Sequence, residues 1–407
     1  MPISSPTKIV FLFGSGVSVP AGMPKFHEIT ERVLSGEGIF SSGETFTKHK
    51  STFIKEENVP QIVKFLHKLK TKIEEYYKKH KFKLDTNYED LYYMTRQIYD
   101  SQVGEYDNPA VQPLVDKILP DIKSLLERTN TRSEWTLSKL AEAAMKYIEY
   151  AVCDLLHKEP KPLDYLACIK EACEDNRLSS VDIFTLNHDT VLEKFLTKNG
   201  IQFTDGFFKP DGEKHRYWKP SLFNSRSFKV RLLKLHGSID WLRFGLEYAI
   251  DWSGDSIVIP SDLQAVVITD AKGRKLLALD KRPRLLIGTY NKMLEYNSGI
   301  YRELNYQFYR SLSTVRQLII CGYGLGDRGI NTQVVDWLYP LAGWFYPSNS
   351  RRIILVDPEP EKLKNKYLSS ISNKWDILIS TNKLRVLPKG IEQTSWQEIK
   401  NILFENF

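Results

Sequence analysis

"KIVFLFGSGVSVPAGMPKF", residues 8–26, turns from an unbroken apolar run into a loop crowded with glycine and proline. The first part, KIVFLF at 8–13, has strand length and no polar alternation, the pattern of a strand covered on both faces in a parallel sheet. The loop then brings Gly14, Ser15, Gly16, Val17 and Ser18, followed by Ala21, Gly22, Met23 and Pro24. Glycines let backbone N–H groups approach a pyrophosphate with no Cβ in the way, and a following helix N-terminus adds dipole and donors. A plain strand-to-helix turn explains GSG alone equally well. A dinucleotide fingerprint of the dehydrogenase kind needs a third glycine at position 19, where this chain has valine. No Gly-Lys-Ser/Thr closes the loop, so a P-loop ATPase is excluded.

The chain's 407 residues suffice for one large domain with an insertion, or for two domains. Apolar residues make up 42% and charged residues 26%, ordinary for a globular protein, and the net charge of +7 permits an anionic partner without demanding one. Cys153, Cys168, Cys173 and Cys321 form no CxxC pair, so a structural zinc ribbon lacks ligands and a disulfide framework is not expected. The opening MPISSPTK reads as no secretory leader, and no apolar run approaches the roughly 18 residues of a membrane span. A cytoplasmic protein with no membrane partner is the expectation.

Helical spacing governs residues 55–160. Ile62, Leu66, Leu69, Ile73 and Tyr76 mark one stripe and Leu137, Leu140, Ala144, Ile148, Val152 and Leu155 another, with Pro109, Pro113 and Pro120 punctuating the interval. Strand-like runs return at VDIFTLN (181–187), VRLLKLHG (230–237), DSIVIP (255–260), RLLIG (284–288), QLIICG (317–322) and RRIILVD (351–357). Several end in glycine or a polar residue, where open α/β sheets place their ligand crevice. The predicted fold is α/β: a Rossmann-like parallel sheet with helices on both faces and a large helical insertion after the first strand-loop unit.

Gly14-Ser15-Gly16-Val17-Ser18, then Ala21-Gly22-Met23-Pro24 and Phe26, resembles the sirtuin signature Gly-Ala-Gly-x-Ser followed by Ala/Ser-Gly-Ile-Pro-x-Phe. Thr185-Leu186-Asn187-His188-Asp189 is similar to the family's Thr-Gln-Asn-x-Asp, His236-Gly237-Ser238 supplies its His-Gly, and CGYGLGD stands where sirtuins carry a late Gly-Thr-Ser loop. The resemblance covers about 8–27 and 181–360. Leu186 replaces the family's glutamine, Lys25 and His27 replace the Asp and Arg flanking Phe26, and the zinc cysteines are missing. The departures weaken a protein-deacylase reading. The pattern is closer to bacterial antiphage defence-associated sirtuin-like proteins that hydrolyse NAD.

The resemblance implies an NAD-binding core at 1–27 and 181–360, a helical insertion at 28–180 and a C-terminal extension, 361–407, packed on the core. It implies NAD as substrate, without structural zinc, held by Gly14, Ser15, Gly16, Ser18, Gly22, Pro24, Phe26, Gly322, Gly324 and Asp357. Asp357 ends a later strand, where an acid accepts hydrogen bonds from ribose hydroxyls. Asn187 is assigned to position a water through its amide, and His236 to take a proton as a neutral imidazole. Asp189 has two readings: support for the nicotinamide end or the cationic ribose, and a helix cap before TVLEKF. Asp327 reads as a helix start and Cys321 as a buried inert thiol. His188, Asp189 and His236 lack HxxxH or HExxH spacing, so no metal is expected.

The expected activity is NAD glycohydrolysis, releasing nicotinamide and ADP-ribose as a defence effector. The alternatives are an NAD-dependent deacylase and a non-catalytic nucleotide-sensing or nucleic-acid-binding subunit. The resemblance also implies a homo-oligomer and a HerA-type ATPase partner. The lysine-rich segment 64–83 raises nucleic acid as a further partner, against the plainer reading of a packed helix with a solvated lysine face.

Overall fold

The structure is a computed structural model that describes residues 7–37, 58–103, 111–126, 136–246, 255–280, 282–340 and 351–404. The strands are β1 (Thr7–Phe13), β2 (Leu178–Thr185), β3 (Phe203–Thr204), β4 (Phe207–Phe208), β5 (Arg216–Trp218), β6 (Val230–Lys234), β7 (Leu242–Leu246), β8 (Ser256–Ile259), β9 (Val267–Thr269), β10 (Lys275–Asp280), β11 (Gln317–Cys321), β12 (Arg352–Val356) and β13 (Leu384–Leu387). The helices are α1 (Phe26–Ser35), α2 (Val59–Lys79), α3 (Tyr88–Val103), α4 (Gln112–Leu126), α5 (Leu137–Leu156), α6 (Ala167–Glu174), α7 (Val191–Lys198), α8 (Asn291–Glu295), α9 (Gly299–Ser313), α10 (Arg328–Leu338), α11 (Pro360–Lys364), α12 (Trp375–Ser380) and α13 (Trp396–Leu403). They form two compact units: one of Met1–Met23, Glu159–Leu286 and Met293–Phe407, the other of Pro24–Lys158 and Ile287–Lys292.

The first unit is built on a seven-stranded sheet in the order β13-β12-β11-β1-β2-β6-β3, every pairing parallel. The predicted α/β class with a parallel sheet flanked by helices is therefore what the chain adopts. β1 sits at its centre with Val10–Phe13 wholly buried. Val10 and Leu12 join the core containing Phe184, Leu304, Phe308, Leu318 and Ile320. Phe11, on the alternate side, packs at 5.3 Å from Phe13 and 6.5 Å from Trp396 of α13. Burial on both faces is why KIVFLF carries no polar alternation.

The strands leave β1 in two directions. β2, β6 and β3 lie on one side and β11, β12 and β13 on the other, so the order reverses between β1 and β11. The register aligns Phe13, Thr185, Lys234, Cys321, Val356 and Leu387 in one row across the sheet. Every loop beyond that row leaves the same carboxyl edge, the edge at which such sheets bind ligands.

Two sequence-derived strands are corrected. The run 255–260 contributes β8 to a separate six-stranded antiparallel sheet, β4-β5-β8-β7-β10-β9, with a small core of Leu242, Phe244, Val258, Ile268 and Leu276. The run 284–288 forms no strand and makes a single antiparallel bridge, Gly237 to Leu285. β13 escaped the sequence reading because LRVL is short and only its first residue is fully buried.

In the helical unit the predicted stripes face inward. Ile62, Leu66, Leu69 and Ile73 of α2 are buried while Tyr76 is exposed, and the α5 stripe is buried except for half-buried Leu155. α4 runs through Pro113 and Pro120, and Pro109 lies outside the described residues. Two lysines of α2 form ion pairs, Lys70 with Glu74 on the same helix at 2.5 Å and Lys72 with Asp121 of α4 at 2.8 Å.

The glycine loop is packed against the loop after β11. The Gly14 amide donates to the Cys321 carbonyl at 3.1 Å and the Gly16 amide to the Gly322 carbonyl at 2.9 Å. A Cβ on Gly14 would stand 2.6 Å from both the Gly322 oxygen and the Tyr323 Cα. Gly322 adds a φ of +58°, which disfavours a side chain independently. A Cβ added at Gly324 would meet nothing within 4 Å beyond its chain neighbours. Gly14→Ala is therefore expected to cost about 1–3 kcal/mol in denaturant unfolding, whereas Gly324→Ala should stay within about 0.5 kcal/mol of the parent. Equal midpoints for the two variants would show that the loops can separate freely.

Candidate functional site

Two residues beyond the aligned row, β2 delivers Asn187 and β6 delivers His236. Asn187, His188, Asp189 and His236 are each no more than 7% exposed. A buried polar cluster at a sheet edge must be satisfied internally, and its hydrogen bonds show how it is held.

Asn187 ties three segments together. Its Nδ2 donates to the Gly14 carbonyl at 3.1 Å and to Ser18 Oγ at 3.0 Å, and its backbone N–H donates to Thr185 Oγ1 at 3.1 Å. A carbonyl oxygen only accepts, so the amide nitrogen has to face Gly14 and the orientation of the amide is settled. Both Nδ2 donors are used, and Oδ1 has no protein partner among the described residues. What remains is a fixed acceptor, the arrangement needed to orient a water or a hydroxyl.

The glycine loop is braced from below. Val17 donates from its amide to the Gly14 carbonyl and Tyr165 from its hydroxyl to the Val17 carbonyl, at 3.1 and 2.7 Å. Lys161 donates its amide to the Ala21 carbonyl at 2.9 Å and lays its stem under Gly22. Since the Gly14 and Gly16 amides serve the fold, these glycines let two crossover loops touch. Ser15 and Gly16 keep their outer surfaces exposed, while Ser18 is buried against Asn187.

His236 lies with its Nε2 2.8 Å from the Tyr296 hydroxyl and 3.2 Å from Asp327 Oδ2, and Tyr296 donates to that same Oδ2 at 2.8 Å. Asp327 also starts α10 as the sequence predicts, its Oδ1 accepting from the Ile330 amide at 2.9 Å. The His188 ring is 6.2 Å from that of His236, centroid to centroid. Asp189 Oδ1 accepts from the Val191 amide at 3.0 Å, holding the entry to α7. Sequence reasoning missed Tyr296, which lies 60 residues from His236 and follows no strand. It read only the capping half of Asp327.

A buried ion pair supports the Asn187–Asp189 turn. Lys234, the last residue of β6, donates to the Asp189 carbonyl and to Glu193 Oε1, the latter at 2.8 Å. Burial opposes the lysine's charge, but Glu193, Asp240 and Asp189 outweigh it and keep Lys234 protonated. Burial pushes Glu193 up to about 7, with Lys234 offsetting part of the rise.

Among the other predicted residues, Asp357 follows β12, where burial raises its carboxyl above the ordinary range and Oδ1 accepts from the Glu359 amide at 2.8 Å. Gly322 and exposed Gly324 form the loop after β11, in which Leu325 takes a φ of +51° and its carbonyl accepts from Asn331 Nδ2 at 2.8 Å. From Asp357 to Asn187 is three strand spacings, about 14 Å, a span on the scale of a dinucleotide. Pro24 and Phe26 fall in the helical unit, where Phe26 packs on Tyr88 at 4.9 Å. All four cysteines are free and buried, and burial holds the Cys321 thiol well above its ordinary range. Among the described residues no group of three or more His, Cys, Asp and Glu is placed to hold a metal, and no helix is long and apolar enough to cross a membrane.

Comparison with known proteins adds a family match. The profile described as "SIR2-like domain" matches residues 181–378, just under half of the chain. No curated protein matches. Two similar solved structures are titled "Sir2 bound to acetylated peptide" and "The Structural basis of Sirtuin Substrate Affinity". The first is 9% identical with a TM-score of 0.38, covering 97% of this chain and 92% of its own; the second is 10% identical with a TM-score of 0.35, covering 98% and 94%.

The Glu193 shift has a pH consequence. Between its ordinary 4.5 and about 7 the folded protein holds a proton that the unfolded chain has released, so this group's contribution to stability is lost as pH rises through that window. Unfolding midpoints of the parent should fall relative to Glu193→Gln between pH 5 and 7, near the limits that shift sets. Parallel pH curves for the two proteins would show that Glu193 ionises freely in the fold.

Proposed function

We propose that this protein is an NAD glycohydrolase. The observation that carries the reading is the Asn187 amide, locked by Gly14 and Ser18 with its oxygen unspent, on the strand next to His236 at the carboxyl edge of the sheet. The SIR2-like match over 181–378 supports NAD as the substrate class.

In this reading the bond between C1′ of the nicotinamide ribose and the ring nitrogen breaks, and its electron pair leaves with neutral nicotinamide. Positive charge develops on the ribose, which becomes oxocarbenium-like. Asn187 Oδ1 accepts a hydrogen bond from the attacking water and orients it, water oxygen bonds to C1′, and His236 takes the released proton before passing it to solvent. The products are ADP-ribose, nicotinamide and one proton. Asp357 serves the adenosine ribose by accepting from its hydroxyls, and exposed Ser15, together with Gly322 and Gly324 of the loop after β11, borders the intervening phosphates. Depletion of NAD in antiphage defence with a HerA-type ATPase is the wider role that the resemblance suggests.

Purified protein incubated with NAD should release nicotinamide and ADP-ribose in equal amounts without any acylated peptide. Asn187→Ala should lower kcat about 10²-fold through loss of water orientation. Release that depends on an acyl-lysine peptide would replace this reading with a deacylase, and undiminished turnover in Asn187→Ala would remove Asn187 from the chemistry.

A further inference from the structure

The contacts of His236 settle where its proton resides, and from them we infer that Tyr296 and Asp327 are positioning residues that set the tautomer and basicity of His236. This deepens, and rests on, the reading of His236 as the proton acceptor in NAD cleavage.

Tyr296 has one hydroxyl proton. It donates to Asp327 Oδ2 at 2.8 Å, and the same tyrosine oxygen stands 2.8 Å from His236 Nε2. If the proton pointed at the imidazole, the tyrosine oxygen and the carboxylate would face each other with no hydrogen between them. These contacts fit a relay that runs one way: His236 Nε2–H donates to Tyr296, and Tyr296 donates to Asp327. Asp327 Oδ2 lies 3.2 Å from Nε2 as well, so the carboxylate also acts on the ring directly. In that tautomer the proton of the neutral imidazole is on Nε2, which makes Nδ1 the basic nitrogen of the ring.

The carboxylate is held rigidly. Asp327 Oδ1 accepts from the Ile330 amide at 2.9 Å, and the Asp327 amide donates to the Tyr323 hydroxyl at 3.0 Å. Both its own side chain and its backbone are thereby fixed, and it stabilises the imidazolium that forms when His236 is protonated. An opposite charge this close favours the protonated form of a histidine. Other charged and titratable groups surround the ring: His188 at 6.2 Å, Tyr301 beside Gly237 with Arg284 over its ring at 6.0 Å, and the Lys234–Glu193–Asp189–Asp240 cluster at the end of its own strand. Tyr296 and Asp327 both lie within hydrogen-bond reach of Nε2 itself.

Asp327→Asn and Tyr296→Phe test the inference in the full-length protein. Asparagine is as good a helix cap as aspartate, so the first variant removes the charge and keeps the start of α10. Histidine ring NMR, with His188→Gln to separate the two neighbouring signals, reads the His236 midpoint without requiring turnover. The midpoint should fall by about 1 unit or more in Asp327→Asn, and the acid limb of kcat/KM should move to lower pH by the same amount. Tyr296→Phe should lower kcat about 10–10²-fold, with KM within about twofold of the parent because its role is confined to the proton step. An unmoved His236 midpoint in both variants, or unchanged kcat and pH profile in both, would overturn the inference. A parent protein that releases no nicotinamide but shows the midpoint shift would retain the relay and overturn the NAD reading instead.

Discussion

Two crossover loops touch backbone to backbone at the point where the order of the parallel sheet reverses. Gly14 and Gly16 after β1 meet Gly322 after β11 so closely that a single Cβ would collide with main-chain atoms. Asn187, from the loop after β2, closes the arrangement by donating to the Gly14 carbonyl. Three strand ends are thus held by contacts in which backbone is at least one partner. Backbone has no rotamers to adjust, and this gives the candidate site its rigidity.

That constraint changes what the glycine loop means. A bare backbone after a central strand suggests amides presented to a phosphate. Here the amides of Gly14 and Gly16 are already engaged, and what the loop leaves open is its exposed outer surface at Ser15 and Gly16, while its Gly14 carbonyl fixes the orientation of Asn187. Fold and chemistry share the same hydrogen bonds. The cost of burying polar groups is offset where they pair with one another, as Asn187 Nδ2 does with Gly14 and Ser18 and Lys234 with Glu193.

The electrostatics divide into two neighbouring groups. Lys234 with Glu193 secures the turn that carries Asn187 through Asp189, while Asp327 and Tyr296 face the imidazole of His236. One group holds the turn in position and the other contacts the imidazole. The residues they hold, Asn187 and His236, lie just beyond the carboxyl ends of the adjacent strands β2 and β6, and a parallel sheet gathers such residues because every strand end there points the same way.

Much of this was legible in the sequence. KIVFLF declares a doubly covered central strand because each of its faces must be apolar, and the residues that end VDIFTLN, VRLLKL and QLIICG had to emerge at one edge once the sheet was parallel. The place of Asn187, His236 and Gly322 at that edge was therefore legible from local pattern, while their assignment to a site came from the sirtuin resemblance. The antiparallel sheet that takes up 255–260 was not, because a short run with mixed burial fits either kind of sheet and strand order is not written locally. Nor were Tyr296 and the contact of Asp327 with the imidazole, since these meet His236 from positions 60 and 91 residues further along the chain. Periodicity reports which face of an element is buried; which side chains meet across those faces is decided only when the elements pack.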